Sequence, residues 1–484
     1  MRLKKLILGL PITVYKGPLD IEITGICTHS KKIAPGNLFI AKKGSVDDGA
    51  KYIEQALSAG ATTILSKHPN PFLKGVTQLI HPFPELFEAI LAARFYHFPS
   101  QELYTVGITG TSGKTTTSYL VKHFFDRLGF SCGLIGTIEC LFGTYRFKAD
   151  LTTPEAIVCQ KMLREMVNQK CLAATMEVSS HALAQGRCNQ IDFDAAIFTN
   201  LSQDHLDYHQ TMEAYAAEKA KLFTDLQPEK TAIINGESPW KNHIIANCKA
   251  NILRFGFERS NHLYADEILF TPERTEFTVH YQNKSTRFGW SLIGRYNVLN
   301  ALAAIGACLT KGIALHELPP ILENFSPVRG RLEKVENNRG LNLYVDYAHK
   351  PDALQHVLAC LKEIKQGRII TVFGCGGDRD KNKRSKMGKI AEEGSDFTFV
   401  TSDNPRSEDP AQICAEIAKG FSTSSFAIVT DRRQAIEQAI RMATPKDLIL
   451  IAGKGHETYQ LFSHQRVPFD DKEVSQEIAN QVHV

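Results

Sequence analysis

The sequence predicts an α/β protein of three domains, and three observations carry that expectation. A chain of 484 residues is long enough for about three domains of ordinary size. From Tyr104 onward, short apolar runs alternate with helical runs, and the alternation restarts after Arg331. These apolar runs end in loops rich in Gly, Asp, Asn and His, where an open parallel sheet gathers its ligands. The expected units are residues 1–100, a small α/β domain; 101–328, a parallel-sheet domain; and 329–484, a second alternating sheet.

Composition narrows the function class. The chain is 43% hydrophobic and 22% charged, the balance of a folded globular protein. A net charge of +4, with no basic stretch interleaved with aromatics, argues against a nucleic-acid partner. Eleven cysteines, an odd number without a CxxC pair, argue against a disulfide framework or zinc site and for a reducing compartment. The start, Met1 to Leu10, is basic and then apolar, but Pro11 ends the apolar run after about five residues, too short for a secretory signal. No stretch approaches the length of a membrane span, so a cytoplasmic protein without membrane insertion is expected, with a monomer as the working oligomeric state.

In the first unit, Asn37–Ala41 reads as a strand and Lys51–Ala59 as a helix. Between them Gly44–Gly49 either binds a ligand or simply turns, and the loop alone favours the turn. The next stretch, Tyr104 to Thr117, is the most informative. Apolar residues lead into a loop of glycines and hydroxyls, and Lys114 opens an amphipathic run supported by Leu120, Phe124 and Leu128. This is a strand, a phosphate-cradling loop and a helix N-terminus, where backbone N–H groups and the helix dipole favour negative charge. Lys114 would reach the terminal phosphates, and the Thr115 hydroxyl would ligate Mg²⁺. The general P-loop pattern asks for glycine where Ile108 stands. A glycine-rich turn without nucleotide is the alternative, and the Lys-Thr pair behind a strand argues against it.

Two more strands of the same sheet finish in polar loops. Leu172–Met176 leads into Glu177–His181, and Asp194–Thr199 leads into Asn200–His209. The last unit repeats the scheme: Leu343–His349 before a proline-started helix, Ile369–Phe373 before Gly374–Asp380, Phe397–Val400 before Asp403–Arg406, and Asp447–Ala452 before Gly453–Glu457. No internal repeat or low-complexity segment is visible.

In this order, the blocks GITGTSGKTTT, MEVSSHAL, TNLSQDHLDYH, YAAEKAKLF, GRYNVLNALAA, GRLEKV, VDYAHKPDAL, FGCGGDRD, SDNPR and AGKGHE closely resemble those of the Mur ligases, the ATP-dependent enzymes that extend the peptidoglycan stem peptide. The resemblance covers essentially the whole chain, and Ile108 looks like the family's own variant of the loop. It implies a UDP-substrate-binding N-terminal domain, a central P-loop mononucleotide-binding domain and a C-terminal Rossmann-like domain. It implies ATP as co-substrate, Mg²⁺ as cofactor, and a nucleotide-sugar dipeptide and diaminopimelate as the other reactants. ATP would convert a glutamate carboxylate to an acyl phosphate, which an amine attacks through a tetrahedral intermediate.

Residue by residue, the resemblance places ATP on Gly110, Thr111, Ser112, Gly113, Lys114, Thr115, Thr116, Asn297, Asn300, Arg331, Asp346 and His349. It gives Mg²⁺ to Thr115, Glu177 and His205, and the catalytic machinery to Lys114, Glu177, His205 and Lys219, the last as an N6-carboxylysine. Singly, a Glu or His at a strand end is usually a satisfied polar group, and Lys219 reads as an ordinary helical lysine with Lys221 beside it. The nucleotide-sugar peptide maps to Thr28, Ser30, Ser45, Val46, Asp47, Thr152, Thr153, Ser179, Gln185 and Arg187. Thr152-Thr153-Pro154 also reads as a helix N-cap. His29 stands where relatives often carry Asp, and Lys350 where they commonly have Thr or Asn.

Diaminopimelate maps to Arg379, Asp403, Asn404, Pro405, Arg406, Gly453 and Glu457. Its second amino-acid end would meet an Arg fork and a Glu acceptor. A buried Arg406 left unpaired by lysine would cost roughly 3–5 kcal/mol. The alternatives are a lysine-adding or folylpolyglutamate-synthase-like ligase, which Asp403–Arg406 argues against. A P-loop switch or motor would not need two further ligand-loop domains.

Overall fold

Three main sheets organise the chain, each laid down by its own stretch of sequence. The computed structural model describes all residues except 45–46, 272–273, 464 and 482–484, so the expected substrate residues Ser45 and Val46 lie outside the described residues. The N-terminal sheet has five strands, with parallel Gly25–Cys27, Asn37–Ile40, Thr63–Ser66 and Thr77–Ile80 closed by antiparallel Thr13–Lys16. The expected helix at Lys51–Ala59 is a 3₁₀ turn over Gly49–Tyr52 continued as an α-helix over Ile53–Ser58.

The central sheet has eleven strands. Strand Tyr104–Thr109 lies between Ala173–Glu177 and Ala195–Phe198, both parallel to it. The order runs outward from it in both directions, which makes its carboxyl end the switch point where an open sheet leaves a crevice. These inner strands are apolar on both faces, as helix-covered parallel strands must be. One face packs against the helices Lys114–Arg127 and Arg295–Thr310, including Leu120, Phe124 and Val298. The other packs under Ala156–Asn168 and Met212–Thr224, including Leu163 and Phe223. Leu120 and Phe124 are buried as the helical spacing predicts, and Leu128 is partly buried at the helix end. Fully burying a side chain such as Phe124 stabilises the fold by about 1.5–3 kcal/mol.

The C-terminal sheet has six strands. Asn342–Asp346, Leu448–Ala452, Ile369–Phe373, Phe397–Val400 and Phe426–Ile428 run parallel, and the short Glu333–Lys334 pairs antiparallel at the edge. A hairpin of Tyr459–Phe462 and Gln465–Pro468 stands beside the strand ends. The linker into this domain is tightly turned: Gly330 has φ +66° and Leu332 φ +45°. A Cβ on Gly330 would lie 2.3 Å from the Gly455 carbonyl carbon, so linker and strand-end loop touch backbone to backbone. All eleven cysteines are free thiols. No helix among the described residues is long and apolar enough to cross a membrane.

Candidate active site

The phosphate loop is built by close packing at two glycines. Gly110 has φ +150°, and a Cβ there would sit 1.9 Å from Thr199 Oγ1; Gly113 has φ +85°, and a Cβ there would sit 2.5 Å from Asn300 Oδ1. Only glycine fits both the backbone and the space. The loop is tied to the neighbouring strand end: Thr199 Oγ1 donates to the Ser112 carbonyl at 2.6 Å, and the Ser112 N–H donates to Asn200 Oδ1 at 2.9 Å. Thr111 N–H donates to the Asn200 carbonyl at 3.0 Å. Behind it, the helix opening at Lys114 presents first-turn N–H groups that have no intrahelical partner.

Two lysines converge under this loop. Lys114 Nζ donates to the carbonyls of Gly110 (2.8 Å) and Thr111 (2.9 Å). Lys219, from helix Met212–Thr224, donates to the same Gly110 carbonyl at 2.9 Å and is only 1% exposed. Desolvation pushes Lys114 down to about 8 despite the attraction of Glu177. Burial, with Lys114 adding repulsion, holds Lys219 well below the ordinary lysine range.

Glu177 is fully buried at its strand end. Its Oε2 accepts from the hydroxyls of Thr115 (3.0 Å) and Thr137 (2.9 Å), and its Oε1 accepts from Thr137 N–H at 2.8 Å. A buried carboxylate beside a hydroxyl is a hard-oxygen donor set that fits Mg²⁺. His205 lies in the adjoining loop with φ +52°. Its Nε2 is 3.2 Å from Asp204 Oδ2, and burial lowers its pKa to about 4, against the pull of Asp204. It is therefore a neutral imidazole at physiological pH, the form that ligates metals. Among the described residues, no group of three or more His, Cys, Asp or Glu side chains is gathered for a metal.

A cavity of ≈ 670 Å³ opens over the loop, lined from both the central and the C-terminal domain. Lys114, Thr115, Glu177 and His205 face it from one side, and Arg331, Asp346 and His349 from the other. Arg331 Nη2 donates to Thr115 Oγ1 at 3.3 Å, and its guanidinium lies 5.0 Å over the Tyr347 ring. Lys350 crosses from the C-terminal domain to ion-pair with Asp204. Asp346 accepts the N–H groups of Leu332 (2.6 Å) and Ala348 (2.7 Å), and burial raises its pKa to about 6. His349 donates Nδ1–H to the Tyr347 carbonyl at 2.7 Å, and burial lowers its pKa to about 3. Its Nε2 is then an acceptor, suited to a hydroxyl rather than a phosphate. Asn297 and Asn300 are buried on helix Arg295–Thr310, tied by Asn297 Nδ2 to the Ile293 carbonyl (2.9 Å) and by Asn300 Nδ2 to Asn297 Oδ1 (3.2 Å).

The residues expected to hold the nucleotide-sugar peptide fall in two groups. Thr152 and Ser179 line the cavity. Thr153 does not cap the following helix as its position suggested: its hydroxyl donates to the Glu177 carbonyl at 2.8 Å and accepts Ser179 N–H at 3.0 Å, while Glu155 occupies the N-cap position. Arg187 donates to the Thr153 carbonyl (2.9 Å) and to Gln185 Oε1 (2.6 Å). On the N-terminal domain, Thr28 Oγ1 and His29 Nε2 approach Glu155 at 3.4 and 3.3 Å. Ser30 donates to Gln55 (2.7 Å), and Asp47 accepts from Tyr52 and Lys51 within its own loop.

The last cluster stands at the strand ends of the C-terminal sheet and does not line the main cavity. Asp403, Asn404 and Pro405 are buried. Asp403 Oδ1 accepts the Asn404 N–H at 2.7 Å, and Asn404 Nδ2 donates to Glu457 Oε2 at 2.8 Å. Gly453 N–H donates to the Asp346 carbonyl at 3.1 Å. Arg406 differs from the expectation of burial: it is half-exposed with φ +53°, and one guanidinium nitrogen donates to the Gly377 carbonyl at 2.7 Å. The penalty for leaving it unpaired is correspondingly smaller than for a buried charge. Arg379 is exposed beside it. Tyr347 separates this cluster from the cavity, with its ring 4.9 Å from that of His456.

Sequence reasoning missed Thr137, Asp204 and Lys454. Asp204 and Lys454 lie inside the quoted blocks, one residue from a named position, so adjacency was the available signal. Thr137 belongs to no block.

Comparison with known proteins adds an independent line. A family model described as "Mur ligase middle domain" matches residues 108–308, "Mur ligase, glutamate ligase domain" matches 330–455, and "Mur ligase family, catalytic domain" matches 22–96. The chain is 43% identical over 484 residues to the UDP-N-acetylmuramoyl-L-alanyl-D-glutamate--2,6-diaminopimelate ligase of Chlamydia pneumoniae, covering 99% of each. It is 41% identical over 483 residues to the protein of the same name from Syntrophomonas wolfei subsp. wolfei, again covering 99% of each. A solved structure of a ligase of that name superposes with a TM-score of 0.73 at 30% identity, covering 99% of this chain and 98% of that one.

Proposed function

Because the chain belongs to the Mur ligase family, we propose that it joins 2,6-diaminopimelate, in its meso form, to the D-glutamate of UDP-N-acetylmuramoyl-L-alanyl-D-glutamate at the expense of ATP. One arrangement supports this reading most: Asn404 and Glu457 are hydrogen-bonded at the strand ends of the C-terminal sheet, beside a cavity lined by Lys114, Thr115 and Glu177. The proteins that match at 41–43% over full length carry that activity in their names.

A carboxylate is a poor electrophile, so the glutamate oxygen attacks the γ-phosphorus of ATP and the β–γ bridging P–O bond breaks, releasing ADP. The neutral diaminopimelate amine then attacks the acyl carbon, the tetrahedral adduct releases one N–H proton to solvent, and its C–O bond to phosphate breaks, leaving the amide and inorganic phosphate. In this reading, Lys114 and the first-turn N–H groups hold the phosphates, where fixed donors in a water-poor site lower the cost of developing charge. Thr115, Glu177 and His205 would hold Mg²⁺, which would supply neutralisation of phosphate charge. Asn297 and Asn300 fix the wall on the adenine side, and His349 Nε2 accepts from a ribose hydroxyl. Thr152, Ser179, Gln185 and Arg187 receive the nucleotide-sugar peptide, with Thr28, Ser30 and Asp47 at its uridine end.

Lys219 has the chemistry of a carbamate site. Its depressed pKa keeps the amine neutral, so it can add to CO₂ and release one proton. The product is an anion beside Lys114, whose Nζ shares the Gly110 carbonyl with Lys219.

An amino-acid panel tests the whole reading with the purified protein, ATP, Mg²⁺ and the nucleotide-sugar dipeptide. Phosphate release is expected to require both the dipeptide and diaminopimelate, with L-lysine at least about a hundredfold poorer, as expected when a polar recognition group is missing. Release independent of either reactant, or equal use of lysine, overturns it.

A further inference from the structure

Lys454 is a charged side chain with 0% exposure, in the loop between Gly453 and Glu457. Burying an ammonium is costly unless its protons are used. Its Nζ lies 3.1 Å from Asn404 Oδ1 and 3.1 Å from Glu457 Oε2, with the Tyr459 ring 5.5 Å away. Both hydrogen-bond partners belong to the amino-acid cluster, and none of the roles given above uses Lys454.

The contacts settle an orientation that a side-chain amide does not choose by itself. Asn404 Oδ1 accepts from Lys454 and also from the Leu461 N–H at 3.0 Å. A nitrogen could not accept from those two donors, so Nδ2 is the end that faces Glu457. Glu457 Oε2 then receives two donors, Asn404 Nδ2 and Lys454 Nζ. Among the described residues, no hydrogen bond reaches Glu457 Oε1.

We infer that Lys454 is the positioning residue of the amino-acid site: it fixes the Asn404 amide and one Glu457 oxygen, leaving Oε1 to accept from the ammonium of the incoming amino acid. The inference rests on reading residues 403–457 as that site. Lys454 does not touch the substrate in this arrangement. It holds the acceptor in place before the substrate arrives, so less ordering is left for the binding step.

The test uses the full chain carrying Lys454→Met or Lys454→Gln, with KM measured separately for ATP, the nucleotide-sugar dipeptide and diaminopimelate. Losing a charge-assisted hydrogen-bond pair should raise the diaminopimelate KM by about tenfold or more in the Met variant. The Gln variant, which keeps a donor, should rise less, and the other two KM values should stay within about twofold. An unchanged diaminopimelate KM, or an equal change in all three, overturns the inference. If the Met variant does not fold, the Gln variant decides by the same two criteria. Diaminopimelate-independent turnover of the unaltered protein would instead sink the functional reading itself.

Discussion

The Gly110 carbonyl carries an unusual load, because the amines of Lys114 and Lys219 both donate to it. Two ammonium groups at one acceptor would repel, and burial penalises each charge further, which holds Lys219 well below the ordinary lysine range. In the proposed reading, a carbamate on Lys219 would replace that repulsion with attraction to Lys114. Lys219→Ala should therefore lower kcat by about a hundredfold or more, and short carboxylic acids should restore part of it, because a catalytic electrostatic partner is worth that much. The same logic gives a pH sign. Carbamates lose CO₂ as the amine takes up a proton, so the unaltered enzyme should lose activity on acidification and regain it with added bicarbonate. No rescue by carboxylic acids counts against the carbamate. The sequence made Lys114 easy to read, because its spacing after Gly113 has a direct physical meaning. Lys219 was not legible by pattern alone, since a helical lysine is ordinarily solvated, and only family likeness singled it out.

The C-terminal helix Asp471–Gln481 is tied to the strand ends before Asp403 and Gly453 through one buried pair. Arg432 and Asp471 both have 0% side-chain exposure and meet at 2.7 Å. Arg432 also donates to the carbonyls of Ser402 (3.2 Å) and Ala452 (2.9 Å), the residues just before Asp403 and Gly453. Asp471→Asn leaves a buried guanidinium without its counter-charge and should cost about 3–5 kcal/mol by chemical denaturation. A loss below about 1 kcal/mol would mean the pair is not holding those strand ends. At this scale, strand positions were legible because fully buried parallel strands read as continuous apolar runs, as Leu448–Ala452 does. The outer hairpins of the central sheet were not read: Tyr145–Lys148 is exposed along its whole length, whereas Thr275–Tyr281 alternates buried and half-buried residues, a period-2 signal that its sequence does carry.

Across the whole molecule, the central and C-terminal domains meet through an apolar patch, where Ile293, Tyr296 and Phe270 pack with the cluster that holds Leu354 and Cys360, and through polar contacts above the phosphate loop. The Lys350–Asp204 ion pair is one, with side chains 31% and 11% exposed, and Arg331 to Thr115 is another. Lys350→Ala removes the first and leaves Asp204 without its cation. The ligand-free protein should then show a larger radius of gyration by small-angle scattering, and ATP should bind about two- to tenfold more weakly. An unchanged scattering profile and ATP affinity would show that the pair does not hold the two domains together. Sequence gave the presence of three units but not their approach, because Lys350 and Asp204 are 146 positions apart and nothing local in either stretch marks the other.

At Gly330 and Gly455 two stretches of main chain press together with no side chain between them. A side chain at residue 330 would meet the Gly455 carbonyl carbon and the His456 nitrogen at 2.3 Å, so it must push away the loop that carries Glu457. In the proposed reading, a single methyl group added at residue 330 would therefore be felt as a weaker hold on diaminopimelate, although it touches no part of that site.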